Sequence, residues 1–179
     1  MRLLAASLLL AASPALATLP TGAKAPDFTA KGAVAGKPFT VALAEQLKRG
    51  PVVLYFFPAA FTGGCNAEAH AFAEAVDDFR KAGATVIGMT AGNVDQLEAF
   101  SSQMCAGKFA VAAASPTVAQ GYDVVLKKPD GTATSYTSRT SYVIGRDGRV
   151  AFVHSDMSPA QHVALTLAAV RKLPGAARR

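Results

Sequence analysis

The 179-residue chain is short of most of the groups on which protein chemistry depends. It holds two cysteines and three histidines, and only 17% of it is charged. Two cysteines allow one intramolecular pairing, either a permanent staple or a pair that opens and closes in a reaction. A chain of this length does not need a staple to fold. The histidines, His70, His154 and His162, show no metal-ligand spacing, so no metal site is expected. His154 and His162 read as surface or end-of-strand positions. Low charge combined with 51% hydrophobic residues excludes a disordered chain. The net charge of +6 comes from scattered basic residues without interleaved aromatics. There is no basic stripe for nucleic acid, so the excess reads as a solvated surface and tail. Repeats and low-complexity linkers are also absent, which leaves one domain.

The first residues are a separate unit. Met1–Arg2 is a positive start, Leu3 to Ala12 is apolar, and Ala15–Leu16–Ala17 has small residues at cleavage spacing. This is the pattern of a secretory signal cut after Ala17, with a mature domain over 18–179. The run falls short of the roughly 20 apolar residues that span a bilayer. No cysteine follows the cut to carry a lipid, and no later segment reads as transmembrane. A periplasmic or secreted protein without stable membrane association is expected.

The remaining chain alternates strand and helix signals. Ala25–Phe28 and Pro38–Val41 read as extended segments around a turn, and Leu43–Lys48 as a short helix closed by Gly50. Val52 to Phe57 is apolar except for the Tyr55 hydroxyl, as expected of a central strand buried on both faces. Pro58 ends it. From Cys65 to Ala82 the period becomes helical, with Ala69, Phe72, Val76 and Phe79 on one stripe, Glu68 off it, and Gly83 as terminator. A strand at Thr85–Met89 follows. Asn93 and Gln96 then suggest a capping box for a helix that carries Cys105 at its far end. Phe109–Ala113 reads as a third strand and Ser115–Pro116 as a helix start. Two hairpin signals come next, around Pro129–Asp130–Gly131 and Arg146–Asp147–Gly148. Ser158–Pro159 is expected to cap a last helix with Val163, Leu167, Val170 and Leu173 inward. The order strand, helix, strand, helix, strand predicts an α/β fold with parallel crossovers.

Cys65 stands where a Gly-rich loop becomes a helix. Unpaired amides and the positive end of the dipole favour a thiolate there, and the thiolate is the nucleophile. Gly63 and Gly64 leave the backbone open to approach. A small buried hydrophobe is the competing reading of the same residue.

Pro58–Ala59–Ala60–Phe61–Thr62–Gly63–Gly64–Cys65–Asn66–Ala67–Glu68 resembles the Pro-x-x-x-Thr-x-x-Cys signature of the peroxiredoxins. Ala25–Pro26–Asp27–Phe28 resembles the opening of their mature domains, and Arg139 to Val150 their arginine, strand and hairpin. The likeness runs from about Gly22 to Leu173 and is closest to the bacterioferritin-comigratory, or PrxQ-like, branch. It implies a thioredoxin-like fold with a central mixed β-sheet flanked by helices. It also implies a thiol-dependent peroxidase for hydrogen peroxide and small organic hydroperoxides, recycled by a thioredoxin-like donor and needing no cofactor. Carried over by position, Cys65 is the peroxidatic cysteine and Thr62 holds the peroxide. Pro58 shields the sulfur, and Arg139 stabilises thiolate and transition state. Glu68 orients Arg139. Relatives with a resolving cysteine five residues on differ from this chain, which has His70 there. Cys105 matches the alternative resolving position, in the following helix. Gly63 departs from the proline or other side chain common in relatives, which implies a looser loop. Many relatives are monomers, and a monomer is expected. Two rival readings are a thioredoxin-fold disulfide exchanger, which would carry a second cysteine close to Cys65, and a non-catalytic domain with a structural Cys65–Cys105 bridge.

Overall fold

The computed structural model describes residues 18–174; the expected export signal, Met1 to Ala17, and the end of the basic tail lie outside the described residues. A hairpin of β1 (Thr29–Val34) and β2 (Lys37–Ala42) leads into α1 (Leu43–Arg49) and β3 (Val52–Phe56). Then come α2 (Gly63–Lys81), β4 (Thr85–Thr90), α3 (Leu97–Gln103), β5 (Ala110–Ala113) and α4 (Pro116–Gly121). A small pair, β6 (Val125–Lys127) and β7 (Ala133–Thr137), precedes β8 (Thr140–Ile144), β9 (Val150–Ser155) and α5 (His162–Arg171).

Seven strands form one mixed sheet in the order β2-β1-β5-β4-β3-β8-β9. β3, β4 and β5 run parallel, joined through α2 and α3, because parallel neighbours need a long crossover. β8 pairs antiparallel with β3 on its other side, and β9 with β8. Every residue of β3 is buried, as its apolar run predicted. Its period of two divides the core. Val53, Tyr55 and Phe57 face a cluster with α2, α3 and α5, while Val52, Leu54 and Phe56 face one with α1 and α4.

The stripe of α2 packs as expected, with Ala69, Phe72, Val76 and Phe79 buried. Phe72 stacks on Tyr55 with centroids 4.4 Å apart. Burying each such ring is worth roughly 1.5–3 kcal/mol, and the stacking adds about 0.5–1.5 kcal/mol. Gly83 takes a left-handed conformation (φ 84°) and closes the helix.

Three local expectations change. The first strand is Thr29–Val34 rather than Ala25–Phe28. Pro26 has no N–H for a ladder, and the Tyr122 hydroxyl takes its carbonyl at 2.7 Å. Asn93 is not a helix cap. It is left-handed (φ 53°), a 3-10 turn over Val94–Gln96 intervenes, and its amide reaches across to the Ala60 carbonyl at 2.8 Å. Ser158–Pro159 lies in a turn, where the Asp156 carboxylate accepts the Ser158 N–H at 2.8 Å, and α5 starts only at His162. His162, Thr166 and Val170, spaced four apart, face inward, with Val163, Leu167 and Leu173 packed partly buried beside them.

Candidate active site

Cys65 is the third residue of α2 and is buried at 1% exposure, although Thr62, Gly63 and Gly64 just before it are exposed. No acidic residue occupies the first turn, so nothing there competes for the unpaired amides. The loop that presents the cysteine is tied at each step. Thr137 donates to the Phe57 carbonyl at 2.6 Å and Thr90 to the Pro58 carbonyl at 2.9 Å. Ala60 donates to the Gly92 carbonyl, and Asn93 holds the Ala60 carbonyl. A β-carbon on Gly92 would lie 2.5 Å from the Pro58 carbonyl oxygen, so only glycine allows this approach. Phe61 is held at φ 60°, a strain of order 1–3 kcal/mol that the surrounding bonds impose.

Pro58 is half-buried at the end of β3. Thr62 caps α2 only through its backbone. Its hydroxyl donates to the Ala59 carbonyl at 3.1 Å, which leaves the oxygen free to accept.

Arg139 enters from the loop before β8 and is almost wholly buried. Each edge of its guanidinium has one task. Nε donates to the Met157 carbonyl at 2.9 Å, Nη1 donates to Glu68 Oε2, and Nη2 points at Cys65 Sγ from 3.5 Å. Burial opposes its charge, but Glu68 and Cys65 outweigh burial and hold the guanidinium more firmly protonated. Nη2 also lies 3.1 Å from where a β-carbon on Gly64 would stand. Gly64 therefore makes room for the arginine, whereas a β-carbon on Gly63 would meet nothing within 4 Å.

Glu68, placed on the polar side by its spacing, is 1% exposed. Burial pushes its carboxyl up to about 7, with Arg139 pulling the other way. Its second oxygen, Oε1, has no hydrogen-bond partner and lies 3.6 Å from His162 Nδ1. His162, expected at the surface, is completely buried, because it shares the inward face of α5 with Thr166 and Val170 and both ring nitrogens find polar partners there. The spacing His162–Thr166–Val170 was the available sign that this histidine faces inward.

Cys105 is also buried, at 0% exposure, in the same apolar cluster as Cys65, and both are free thiols. It lies just past α3. Its N–H reaches the Phe100 carbonyl at 3.2 Å, and its carbonyl takes the Lys108 N–H at 3.0 Å. Burial alone pushes its thiol far up. The Tyr55 hydroxyl has no hydrogen-bond partner among the described residues and is pushed well up, by burial first and then by Cys105, Glu68 and Cys65. Sequence reasoning had assigned Tyr55 only a strand position. His70 is exposed on α2 and takes no part.

A mixed sheet flanked by helices, with a thiol at a helix start beside a buried guanidinium, is the architecture of a thioredoxin-like thiol protein. Residues 21–153 match the AhpC/TSA family model. The chain is 31% identical over 153 residues to chloroplastic peroxiredoxin Q of Triticum aestivum, covering 85% of this chain and 67% of that one. Peroxidoxin BcpB from Mycobacterium tuberculosis superposes with a TM-score of 0.75 at 29% identity, over 87% of this chain and 98% of that one. Xanthomonas campestris peroxiredoxin Q shares the fold, with a TM-score of 0.67 at 22% identity, over 79% and 89%. The chain belongs to the AhpC/TSA family, in its PrxQ- and BCP-like branch. It is a thiol-dependent peroxidase, with peroxide as substrate and a thioredoxin-like protein as reductant.

Proposed function

We propose that Cys65 is the peroxidatic cysteine, with Thr62, Pro58, Arg139 and Glu68 completing the site. The observation that carries this reading is the Arg139 Nη2 to Cys65 Sγ approach at 3.5 Å, between residues 74 apart in sequence. The thiolate attacks one peroxide oxygen. The S–O bond forms, the O–O bond breaks, and the second oxygen leaves as hydroxide or alkoxide and takes up a proton. Cys65 becomes a sulfenic acid. Thr62 Oγ1 holds the peroxide at the exposed mouth, and Pro58 limits water on the sulfur. Arg139 serves the thiolate first and the departing oxygen next.

Cys105 then displaces the sulfenic hydroxyl as water and forms an intramolecular disulfide, which a thioredoxin-like dithiol reduces. Both sulfurs begin buried, so the first turn of α2 and the end of α3 unwind for this step. Support comes from the end of α3, where Ala106 (φ 48°) and Gly107 (φ 67°) are consecutive left-handed residues. For the alanine that conformation is a strained one. The protein acts as a monomer in the periplasm or outside the cell, after cleavage of residues 1–17.

Rapid mixing of reduced protein with stoichiometric peroxide tests the scheme. Loss of the Cys65 thiol should precede a Cys65–Cys105 disulfide, and Cys65→Ser should consume no peroxide. Unchanged peroxide consumption by Cys65→Ser would sink the assignment.

A further inference from the structure

Next to Arg139 two ionisable groups, Glu68 and His162, lie side by side in the interior, and the peroxidase scheme uses only the first. Glu68 gives one oxygen to Arg139 and aims the other, Oε1, at His162 Nδ1 from 3.6 Å, with no other partner. The histidine's protonation is set by its own contacts. Nε2 lies 2.9 Å from the Asp156 carbonyl, which can only accept, so Nε2 carries the hydrogen. Nδ1 is then left as an acceptor for the Ser141 hydroxyl at 2.8 Å. An ionised Glu68 would face its unpartnered oxygen toward a nitrogen that can only accept, in a buried site. A proton on Oε1 removes that conflict and offers Nδ1 a second donor, in competition with the Ser141 hydroxyl for its single lone pair.

The other titratable or charged groups facing the pair come from several elements. They are Arg139 before β8, Cys65 on α2, Tyr55 on β3, His154 on β9 with its ring 4.6 Å from that of His162, and Asp156 in the following loop. Arg139 favours an ionised Glu68, but burial works more strongly against it. Burial likewise holds His162 neutral, down to about 4.

We propose that Glu68 and His162 hold a single proton between them on the carboxyl side, and that His162 is thereby a positioning residue for the peroxidase reaction. With Glu68 neutral, the charge of Arg139 is answered by the Cys65 sulfur alone. Once the proton leaves, a carboxylate shares the guanidinium and the sulfur loses part of that field. The inference rests on Cys65 as the reacting sulfur, but its central readout does not need peroxide.

That readout is the carbonyl stretch of the protonated Glu68 carboxyl, followed by infrared difference titration and assigned by its absence in Glu68→Gln. Wild-type protein should lose the band near neutral pH. His162→Phe removes the acceptor and should move the loss to lower pH, by on the order of one unit. His162→Asn, whose amide oxygen can stand near Nδ1, should move it back. Ser141→Ala frees Nδ1 from its hydroxyl and should move it to higher pH, which keeps the proposal testable if His162→Phe folds poorly. The rate of Cys65 oxidation supplies the link to reactivity. The wild-type to His162→Phe ratio should peak between the two midpoints and fall toward one on either side. A midpoint unmoved in His162→Phe, or moved upward as for a lost imidazolium, overturns the proposal. So does a rate ratio independent of pH, which marks a structural role only. Failure of Cys65 to react with peroxide, with the infrared shifts intact, would instead reject the site assignment.

Discussion

The two cysteines occupy the same apolar cluster and are equally hidden, yet their surroundings differ in kind. Cys65 has the open end of a helix beneath it and a guanidinium nitrogen 3.5 Å away. Cys105 follows the closed end of a helix, has no charged donor, and is pushed far toward the thiol form by burial. Burial is therefore not what distinguishes a reactive sulfur from a dormant one; the donors aimed at it are. The contrast fits the order of events in the proposed scheme. In that scheme Cys65 reacts where it stands, whereas Cys105 requires its turn to open. The two regions meet through Phe100, on which Phe57 stacks at 5.3 Å. Phe61, four residues before Cys65, meets Phe100 edge-on at 5.4 Å, and the Phe100 carbonyl accepts the Cys105 N–H.

The sharpest way to separate the two sulfurs is Cys105→Ser. Turnover with a thioredoxin-like donor should be lost, while the first oxidation of Cys65 proceeds at its wild-type rate and leaves a sulfenic acid that a dimedone-type probe traps. Unaltered turnover would remove Cys105 from the cycle. Next in size is Arg139→Ala, which makes the surroundings of Cys65 resemble those of Cys105. Peroxide reactivity should fall roughly 100- to 1000-fold, the usual cost of losing one aimed donor, in stopped-flow measurement. Gly64→Ala should displace the guanidinium by a few tenths of an ångström and slow the same step by about tenfold. It should leave the melting temperature unchanged or raised, because alanine favours a helix over glycine by about 1 kcal/mol. A parallel loss of stability would contradict that reading.

The smallest effect concerns stability against pH. Alone, a carboxyl raised from 4.5 to about 7 makes the folded state bind the extra proton, so stability falls as pH rises through that window. Alone, an imidazole lowered from 6.5 to about 4 makes the folded state release a proton, so stability rises with pH through its window. Between 4.5 and 6.5 the two cancel, because folding moves one proton from His162 to Glu68 without net uptake. Denaturant titrations of wild type and His162→Phe should therefore diverge in slope. The variant should become less stable as pH rises above about 4.5, relative to wild type.

Much of the scaffold was legible because its causes are local. The unbroken apolar run of β3, the stripe of α2 and the terminator Gly83 each act within a few residues, and each element formed where its pattern placed it. Boundaries moved where distant partners intervened. Asn93 gave its amide to the Ala60 carbonyl instead of capping a helix, and the Asp156–Ser158 turn delayed α5. Residue patterns alone left Cys65 open between nucleophile and core filler; the resemblance of the Pro58 to Glu68 stretch pointed to the peroxidatic role.

By itself, then, the chain determined an α/β core, one cysteine at a helix start and a threonine three residues before it, because periodicity, proline and glycine act through the adjacent backbone. Tertiary structure alone decided what surrounds the sulfur. It placed Arg139 within reach, put Glu68, which spacing alone left off the apolar stripe, in the interior against that arginine as the resemblance implied, and set His162 beside it. These are through-space relations between segments about 70 to 95 positions apart. Their energetics depend on desolvation, which exists only once the sheet and helices have closed around them.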